Sequence, residues 1–186
     1  RWGVYSEMVP SVFITHQLKV LSGVFTSISS KIQQKYIQKF DECWIPDAEE
    51  EPHLSGEMGH LKNPPLPVKF IGILSRFKKE ILSISYDIAV ILSGPEPQRE
   101  ILQQILEKEL KGSDSRILFV KGIVEKEQIQ EKKDNWTIYN FLTSAQLQDY
   151  LNQSEYVICR PGYTSLMDLA ALEKKAFLIP TPGQNE

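Results

Sequence analysis

The 186 residues, of which 41% are hydrophobic and 24% charged, indicate an ordinary globular protein that can bury a sizeable core. A formal net charge of -3 excludes a general nucleic-acid binder, because no basic excess is present to neutralise phosphates. The two cysteines, Cys43 and Cys159, are too far apart for a disulfide framework or zinc site, and no apolar run approaches the roughly 20 residues that span a bilayer.

Residues 1–47 predict a β-α-β unit that ends one Rossmann-like sheet domain. Val9 to His16 is typical of a strand that begins at a proline. Residues 27–40 carry apolar side chains at helical spacing, and residues 43–45 form a second short strand. Because the chain starts at Arg1 without a methionine and stops within a loop at Glu186, we expect a piece of a longer protein.

Residues 48–67 have a different composition from their surroundings. The segment starts with an acidic run, continues with glycines and ends with three prolines, and it has no hydrophobic period. We therefore expect an irregular interdomain linker. His53 and His60 lie within it, and the sequence places no third ligand beside them, so we expect no metal site.

Residues 68–186 alternate between strand and helix patterns and predict a second α/β domain with a Rossmann-like parallel sheet. The charged residues 125–135 are typical of a solvated loop. We expect this domain to be incomplete at its C-terminus. The expected strands are 68–74, 87–92, 117–120, 136–142, 156–159 and 176–179, and the expected helices are 100–111, 145–151 and 164–174.

The loop from Leu92 to Arg99 lies between a buried strand and a helix. Gly94 lets backbone N–H groups approach a phosphate, and Arg99 adds a charge-assisted contact. The alternative is a plain turn in which prolines set the start of the helix.

The segment from Arg160 to Asp168 is the strongest indication of an anion site. Gly162 and Thr164 lie at a helix start, where free N–H groups and the helix dipole favour a diphosphate. The Asp168 carboxylate, about one turn further in, can accept hydrogen bonds from ribose hydroxyls. The alternatives are that Thr164 or Ser165 caps the helix and that Asp168 complements its dipole. At a strand end Arg160 needs an anion or a carboxylate as its partner.

The loop after the last predicted strand ends in three sugar-binding residue types. Gln184, Asn185 and Glu186 have side chains that hydrogen-bond sugar hydroxyls. The alternative for this segment is an ordinary solvated loop. Because the carboxyl ends of parallel strands gather at one sheet edge, all three loops are expected to contribute to one ligand site.

Taken in order, these loops resemble those of the MurG-like glycosyltransferases, whose two Rossmann-like domains form the GT-B fold and whose C-terminal part is the family 28 type. The segment Arg160–Asp168 is similar to that family's Arg-Ser-Gly-Ala-x-Thr-x-x-Glu motif. The resemblance implies that Gly162, Tyr163 and Thr164 hold the donor diphosphate and that Asp168, in place of the glutamate, binds the ribose.

The resemblance extends to the other loops. Gly94 lies where the family has a Gly-Gly-Ser loop, with Arg99 and Arg160 as further diphosphate ligands. Leu142 lies where a backbone contact reads the base, and the 181–186 loop matches the one that holds the donor sugar. The strand before Gln17 matches the last strand of the family's N-terminal domain, which sets His16 near the acceptor as the only local candidate for a catalytic base.

The resemblance implies an enzyme that transfers a hexosyl or N-acetylhexosaminyl group from a nucleotide-diphosphate sugar to an acceptor hydroxyl. A UDP-sugar is the family's commonest donor, and neither a cofactor nor a metal is implied. The family's catalytic base lies upstream of Arg1, so we expect the chain alone to bind a donor without catalysing transfer. We expect a cytoplasmic protein without nucleic-acid partners, and contact with the inner membrane through the upstream part stays open.

Two other functions fit the same residues. The fold and donor motif also serve nucleotide-sugar hydrolases and epimerases, which need no acceptor. The atypical loop around Pro95, Glu96 and Pro97 favours instead a non-catalytic nucleotide-sugar-binding or partner subunit.

Overall fold

A computed structural model describes residues 9–19 and 26–182 of the chain, which divides into two compact units. The first unit runs to Leu74 and the second spans Ser75–Pro182. Gln184, Asn185 and Glu186, the candidates for sugar binding, lie outside the described residues. In the described part of the chain, no helix combines the length and the apolar character that a membrane span requires.

The first unit contains a three-stranded parallel sheet in the order β1-β2-β3. Its core consists of buried side chains from the strands, the helix and the loops, which include Leu18, Ile37 and Ile45. The predicted β-α-β arrangement is present. The elements are β1 (Val12–Ile14), α1 (Thr26–Ile37), β2 (Glu42–Ile45), a short 3₁₀ helix (Gly56–Met58) and β3 (Val68–Phe70).

The strand β3, predicted to open the second domain, pairs with β2 in the first unit instead. Val68 lies opposite Cys43, and the Cys43 N–H donates to the Pro67 carbonyl at 2.9 Å. The half-buried side chains of Val68 and Phe70 pack on the core of the first unit. A strand pattern predicts a conformation but does not identify the sheet that the strand joins, because the hydrogen-bonding partner is distant in sequence.

The second unit is a six-stranded sheet in the order β6-β7-β5-β4-β8-β9, with every pair parallel except β6 with β7. This confirms the Rossmann-like α/β class. The elements are β4 (Tyr86–Ile91), α2 (Gln98–Glu109), β5 (Ile117–Val120), β6 (Gln130–Lys133), β7 (Trp136–Tyr139), α3 (Ser144–Asn152), β8 (Ser154–Cys159), α4 (Tyr163–Ala171) and β9 (Lys175–Leu178).

The charged excursion at residues 125–135, predicted to be a loop, contains the edge strand β6. It pairs antiparallel with β7 through a tight turn at Asp134, whose φ is +52°. All four side chains of β6 are exposed, so the strand has no apolar alternation for a sequence pattern to detect.

Two cores cover the two faces of this sheet. On one face Val90 and Phe119 pack with Leu102 and Leu106 of α2. On the other face the buried residues of the strands pack with helices α3 and α4, which contribute Leu151 and Leu169. Helices on both faces leave the carboxyl ends of the strands as the accessible edge.

The chain order defines a switch point between β4 and β8. From β4 the chain continues to β5 and β7 on one side, and it then returns to β8 and β9 on the other side. In open α/β sheets the crevice at such a point is the usual ligand position. The loops that follow β4 and β8 are therefore the first place to look for a site.

Candidate functional site

Arg160, which directly follows β8, links three of the predicted loops. Its Nε donates to the Ser93 carbonyl at 3.2 Å, and its Nη2 donates to the Gln98 carbonyl at 2.8 Å. Its Nη1 donates to Oγ1 of Thr181 at 2.6 Å, in the loop after β9. One side chain therefore holds together the loops after β4, β8 and β9.

The charge of Arg160 is buried, and the described part of the chain gives it no acidic partner. The residue is 6% exposed, and no carboxylate of a described residue lies within ion-pair distance of it. Burial also raises the pKa of the adjacent Cys159 thiol to about 11, so that group supplies no anion. Because a buried guanidinium without a counter-charge is costly, the switch point favours an anionic ligand.

The start of α4 has no side-chain cap. Gly162 is the N-cap residue, with φ -63° and ψ 135°, and it has no side chain that accepts from the first turn. The alternative that Thr164 or Ser165 caps this helix is therefore wrong in the described structure. A Cβ added at Gly162 would lie 3.8 Å from Ser165 Oγ, which leaves the approach to this helix start open. Tyr163 is the first residue of α4 and is half-buried.

The start of α2 is filled by the protein itself. Glu96 accepts from the Glu100 N–H through Oε2 at 3.1 Å, and from Arg99 Nε through Oε1 at 2.5 Å. The Arg99 N–H donates to the Pro95 carbonyl at 3.1 Å. Pro95 and Pro97 have no N–H to offer. An internal carboxylate thus occupies the position that a diphosphate would need at this helix.

Arg99 is directed into the fold of the second unit. It is 7% exposed, and its Nη1 donates to Gln103 Oε1 at 2.8 Å and to the Lys121 carbonyl at 3.0 Å. Together with its bond to Glu96, these contacts account for the burial of the Arg99 guanidinium without a ligand. Its role as a diphosphate ligand stays a prediction.

Gly94 keeps the loop after β4 close to Arg160. Its φ of +100° lies in the region that favours glycine, and an added Cβ would lie 3.4 Å from Arg160 Nε. Gly122, which the sequence analysis missed, is even more restricted. Its φ is +71°, and an added Cβ would lie 2.3 Å from the Leu92 carbonyl oxygen. A glycine two residues after the apolar run of β5 was the available signal.

Asp168 holds a segment that the sequence analysis did not connect with it. Its Oδ1 accepts from Ser75 Oγ at 2.6 Å, and Ser75 Oγ in turn accepts from the Phe77 N–H at 3.0 Å. The carboxylate therefore ties the first residues of the second unit to α4. No local pattern marks this contact, since Ser75 lies 93 positions away. Ribose binding by Asp168 stays a prediction.

The remaining candidates, Leu142 and His16, have positions in the structure that do not decide their roles. Leu142 is half-buried against the core, in the loop before α3, and that helix is capped by Thr143 together with Gln146. His16 follows β1 in the first unit and is half-buried. Reading of the base at Leu142 and catalysis by His16 both stay predictions.

Comparisons with known proteins identify the family of the second unit. The model of the glycosyltransferase family 28 C-terminal domain matches residues 88–186. A UDP-N-acetylglucosamine--N-acetylmuramyl-(pentapeptide) pyrophosphoryl-undecaprenol N-acetylglucosamine transferase of Bacillus subtilis (strain 168) is 24% identical over 177 residues, which cover 91% of this chain and 47% of that protein. The chain thus spans about half the length of this curated relative. No solved structure matches the chain.

Proposed function

Because the chain belongs to the glycosyltransferase family 28 C-terminal domain family, we propose that its second unit binds the diphosphate of a nucleotide-sugar donor. The observation that carries this proposal is the buried charge of Arg160, which no carboxylate of a described residue balances. The uncapped start of α4 lies next to it in sequence, with Gly162 two residues after Arg160. Free N–H groups and a buried cation together attract an anion.

In the full-length protein, the sugar would pass from the donor to an acceptor hydroxyl. The bond between the anomeric carbon and the diphosphate oxygen breaks, and the diphosphate leaves with the electron pair. The N–H groups at the start of α4 and the charge of Arg160 would stabilise the negative charge that develops there. The donor would also be oriented by Asp168 at the ribose and by Gln184, Asn185 and Glu186 at the sugar.

The proton of the acceptor hydroxyl must go to a general base. Within this chain His16 is the candidate for this base. The other candidate source is the part of the family's proteins that lies upstream of the region matched by this chain. The relative from Bacillus subtilis uses UDP-N-acetylglucosamine by its name, so a UDP-sugar is the first donor to test. The free, buried thiols of Cys43 and Cys159 agree with a cytoplasmic location.

The donor site can be tested on this chain with a thermal-shift panel. UDP and UDP-N-acetylglucosamine are expected to raise the melting temperature, since a ligand that binds only the folded state stabilises it. UMP, which lacks the second phosphate, is the matched control and should raise it less. If UDP, GDP and ADP all leave the melting temperature unchanged, the proposed donor site is wrong.

A second candidate function is that of a non-catalytic nucleotide-sugar-binding or partner subunit. The observation that favours it is the start of α2, where Glu96 and two prolines reduce the number of donors available to a diphosphate. Incubation of the full-length protein with donor, with and without acceptor lipid or sugar, separates the candidates. Turnover without acceptor indicates a hydrolase or epimerase, and binding without any turnover indicates the partner subunit.

A further inference from the structure

The segment after β2 folds back on itself and places two histidines beside a buried carboxylate. Asp47, His53 and His60 offer ligand atoms that all lie within 4.8 Å of one another. His60 Nε2 lies 3.5 Å from Asp47 Oδ2, and the rings of His53 and His60 stack with centroids 3.8 Å apart. Sequence spacing pointed to no third ligand for these histidines, and the fold brings Asp47 into that position.

The Asp47 carboxylate is fixed and ionised. The N–H groups of Ala48 and Leu54 each donate to Oδ1 at 2.8 Å, and Ser55 donates to Oδ2 through N–H at 2.7 Å and through its hydroxyl at 2.5 Å. Burial raises the pKa of Asp47, but these bonds outweigh it and bring the pKa down to about 2. These four bonds hold the carboxylate in one orientation, and a metal at Oδ2 would have to replace one of the two bonds from Ser55.

His60 has a ring nitrogen that the surrounding protein does not satisfy. Its Nε2 is buried and makes no hydrogen bond to any described residue, although the ring is stacked between His53 and Phe70. This buried nitrogen and Asp47 Oδ2 lie side by side, 3.5 Å apart, without a hydrogen bond between them.

We propose that Asp47, His53 and His60 bind one Zn²⁺ ion, or a divalent transition metal of the same class. Imidazole nitrogen with carboxylate oxygen is a donor set that Zn²⁺ accepts. Bonds of about 2.0 to 2.1 Å put neighbouring ligand atoms of a tetrahedral site roughly 3.3 Å apart. The contact between His60 and Asp47 already has nearly this spacing, and the partly exposed His53 ring would have to turn out of its stack with His60 to complete the site.

The fourth ligand would be a water molecule or Glu51, whose Oε1 lies 4.0 Å from His53 Nε2. The metal would join the two ends of the segment 47–60. Most of this segment belongs to residues 48–67, which the sequence predicted to be a linker. This site lies within the first unit and does not depend on the donor site proposed for the second unit.

The test is a calorimetric titration of the complete chain, stripped of metal, with ZnCl₂ alone. One Zn²⁺ per chain should bind, and the melting temperature should rise with it. His60→Phe keeps an aromatic ring in the stack and removes the ligand, and His53→Ala removes the other nitrogen. Both should weaken binding at least about tenfold, since even the loss of an outer-shell partner costs metal affinity on that scale.

His16→Ala is the matched control, because it removes the third of the chain's three histidines and no proposed ligand. It should bind Zn²⁺ like the wild-type chain, and circular dichroism should show all three variants folded. The proposal is overturned if Zn²⁺ does not bind, or if His53→Ala and His60→Phe both bind it normally. Intact binding of UDP in the same preparations distinguishes failure of the metal site from failure of the donor site.

Discussion

The starts of α2 and α4 lie after neighbouring strands of one sheet, yet they differ in whether a side chain of the protein already supplies a negative charge there. At α2 the Glu96 carboxylate accepts from Glu100 N–H and from Arg99, so the positive end of the helix is already neutralised. At α4 the cap is Gly162, which brings no acceptor, and Arg160 just before it is buried without an acid of the described chain.

This comparison shows that the fold alone does not make a phosphate site at a helix start. Both helices have a positive N-terminal dipole end, and both follow a parallel strand. The difference comes from one or two residues before each helix, which either supply an internal carboxylate or leave the position open. This difference is the reason why we propose the diphosphate site at α4 and a structural role for the start of α2.

Arg160→Met should have the largest combined effect on stability and on the binding of UDP. It leaves the Ser93 and Gln98 carbonyls and the Thr181 hydroxyl without their donor, at a cost of about 2 to 4 kcal/mol in the free energy of unfolding. Binding of UDP should fall at least about tenfold. Urea unfolding and calorimetry measure the two quantities.

Arg99→Met is the matched control for that variant, because it removes an equally buried guanidinium at α2. It should lower stability but change the affinity for UDP by less than about threefold. Equal losses of affinity in Arg99→Met and Arg160→Met would contradict the division of roles between the two helix starts.

Gly162→Asp would make α4 resemble α2. The new carboxylate should cap the helix and raise stability by a few tenths to about 1 kcal/mol, while UDP binds roughly tenfold to a hundredfold more weakly. Gly162→Ala is the control, since its Cβ meets only Ser165 Oγ, at 3.8 Å, and it should bind UDP within about twofold of the wild type. Unchanged binding by Gly162→Asp would remove α4 from the site.

Glu96→Gln would make α2 resemble α4 while keeping the shape of the side chain. Glu96 is half exposed, so its repulsion of a nearby diphosphate is screened, and UDP should bind only about twofold to fivefold more tightly. Stability should fall by less than about 1 kcal/mol. A loss of affinity measured by calorimetry would mean that Glu96 supports the donor instead of competing with it.

Ser75→Ala should have the smallest effect on binding. The loss of its hydrogen bond to Asp168 should cost about 1 kcal/mol of stability. The affinity for UDP should stay within about twofold, because both carboxylate oxygens remain available to a ribose. Asp168→Ala gives the contrast, and if both variants lose affinity equally, the carboxylate acts only through Ser75.

Much of the second unit was predictable, because its strands and helices carry dense apolar patterns. The strand Ile117–Val120 is fully buried, and its predicted bounds are those of β5. The edge strand β6 was missed, since all four of its side chains face solvent. The partner of β3 could not be predicted either, because pairing with β2 joins residues that are about 25 positions apart, a separation that local patterns do not encode.

The site was predictable as a set of loops but not as a set of contacts. Gly94, Gly162 and Arg160 stand out as residue types at strand ends and helix starts. No local sequence pattern shows that Glu96 and Lys121 hold Arg99, or that Arg160 has no acidic partner among the described residues. Such partners are chosen by the tertiary fold, and they decide which cation is available to a ligand.

The most direct test of the central claim is a titration of the isotope-labelled chain with UDP, followed by amide nitrogen and proton chemical shifts. The account predicts that the largest shifts occur at the amides of Thr164 and Ser165, at the start of α4. The amides of Arg99 and Glu100 at α2 should move little, because internal acceptors already hold them. Largest shifts at Arg99 and Glu100, with α4 unaffected, would contradict the account.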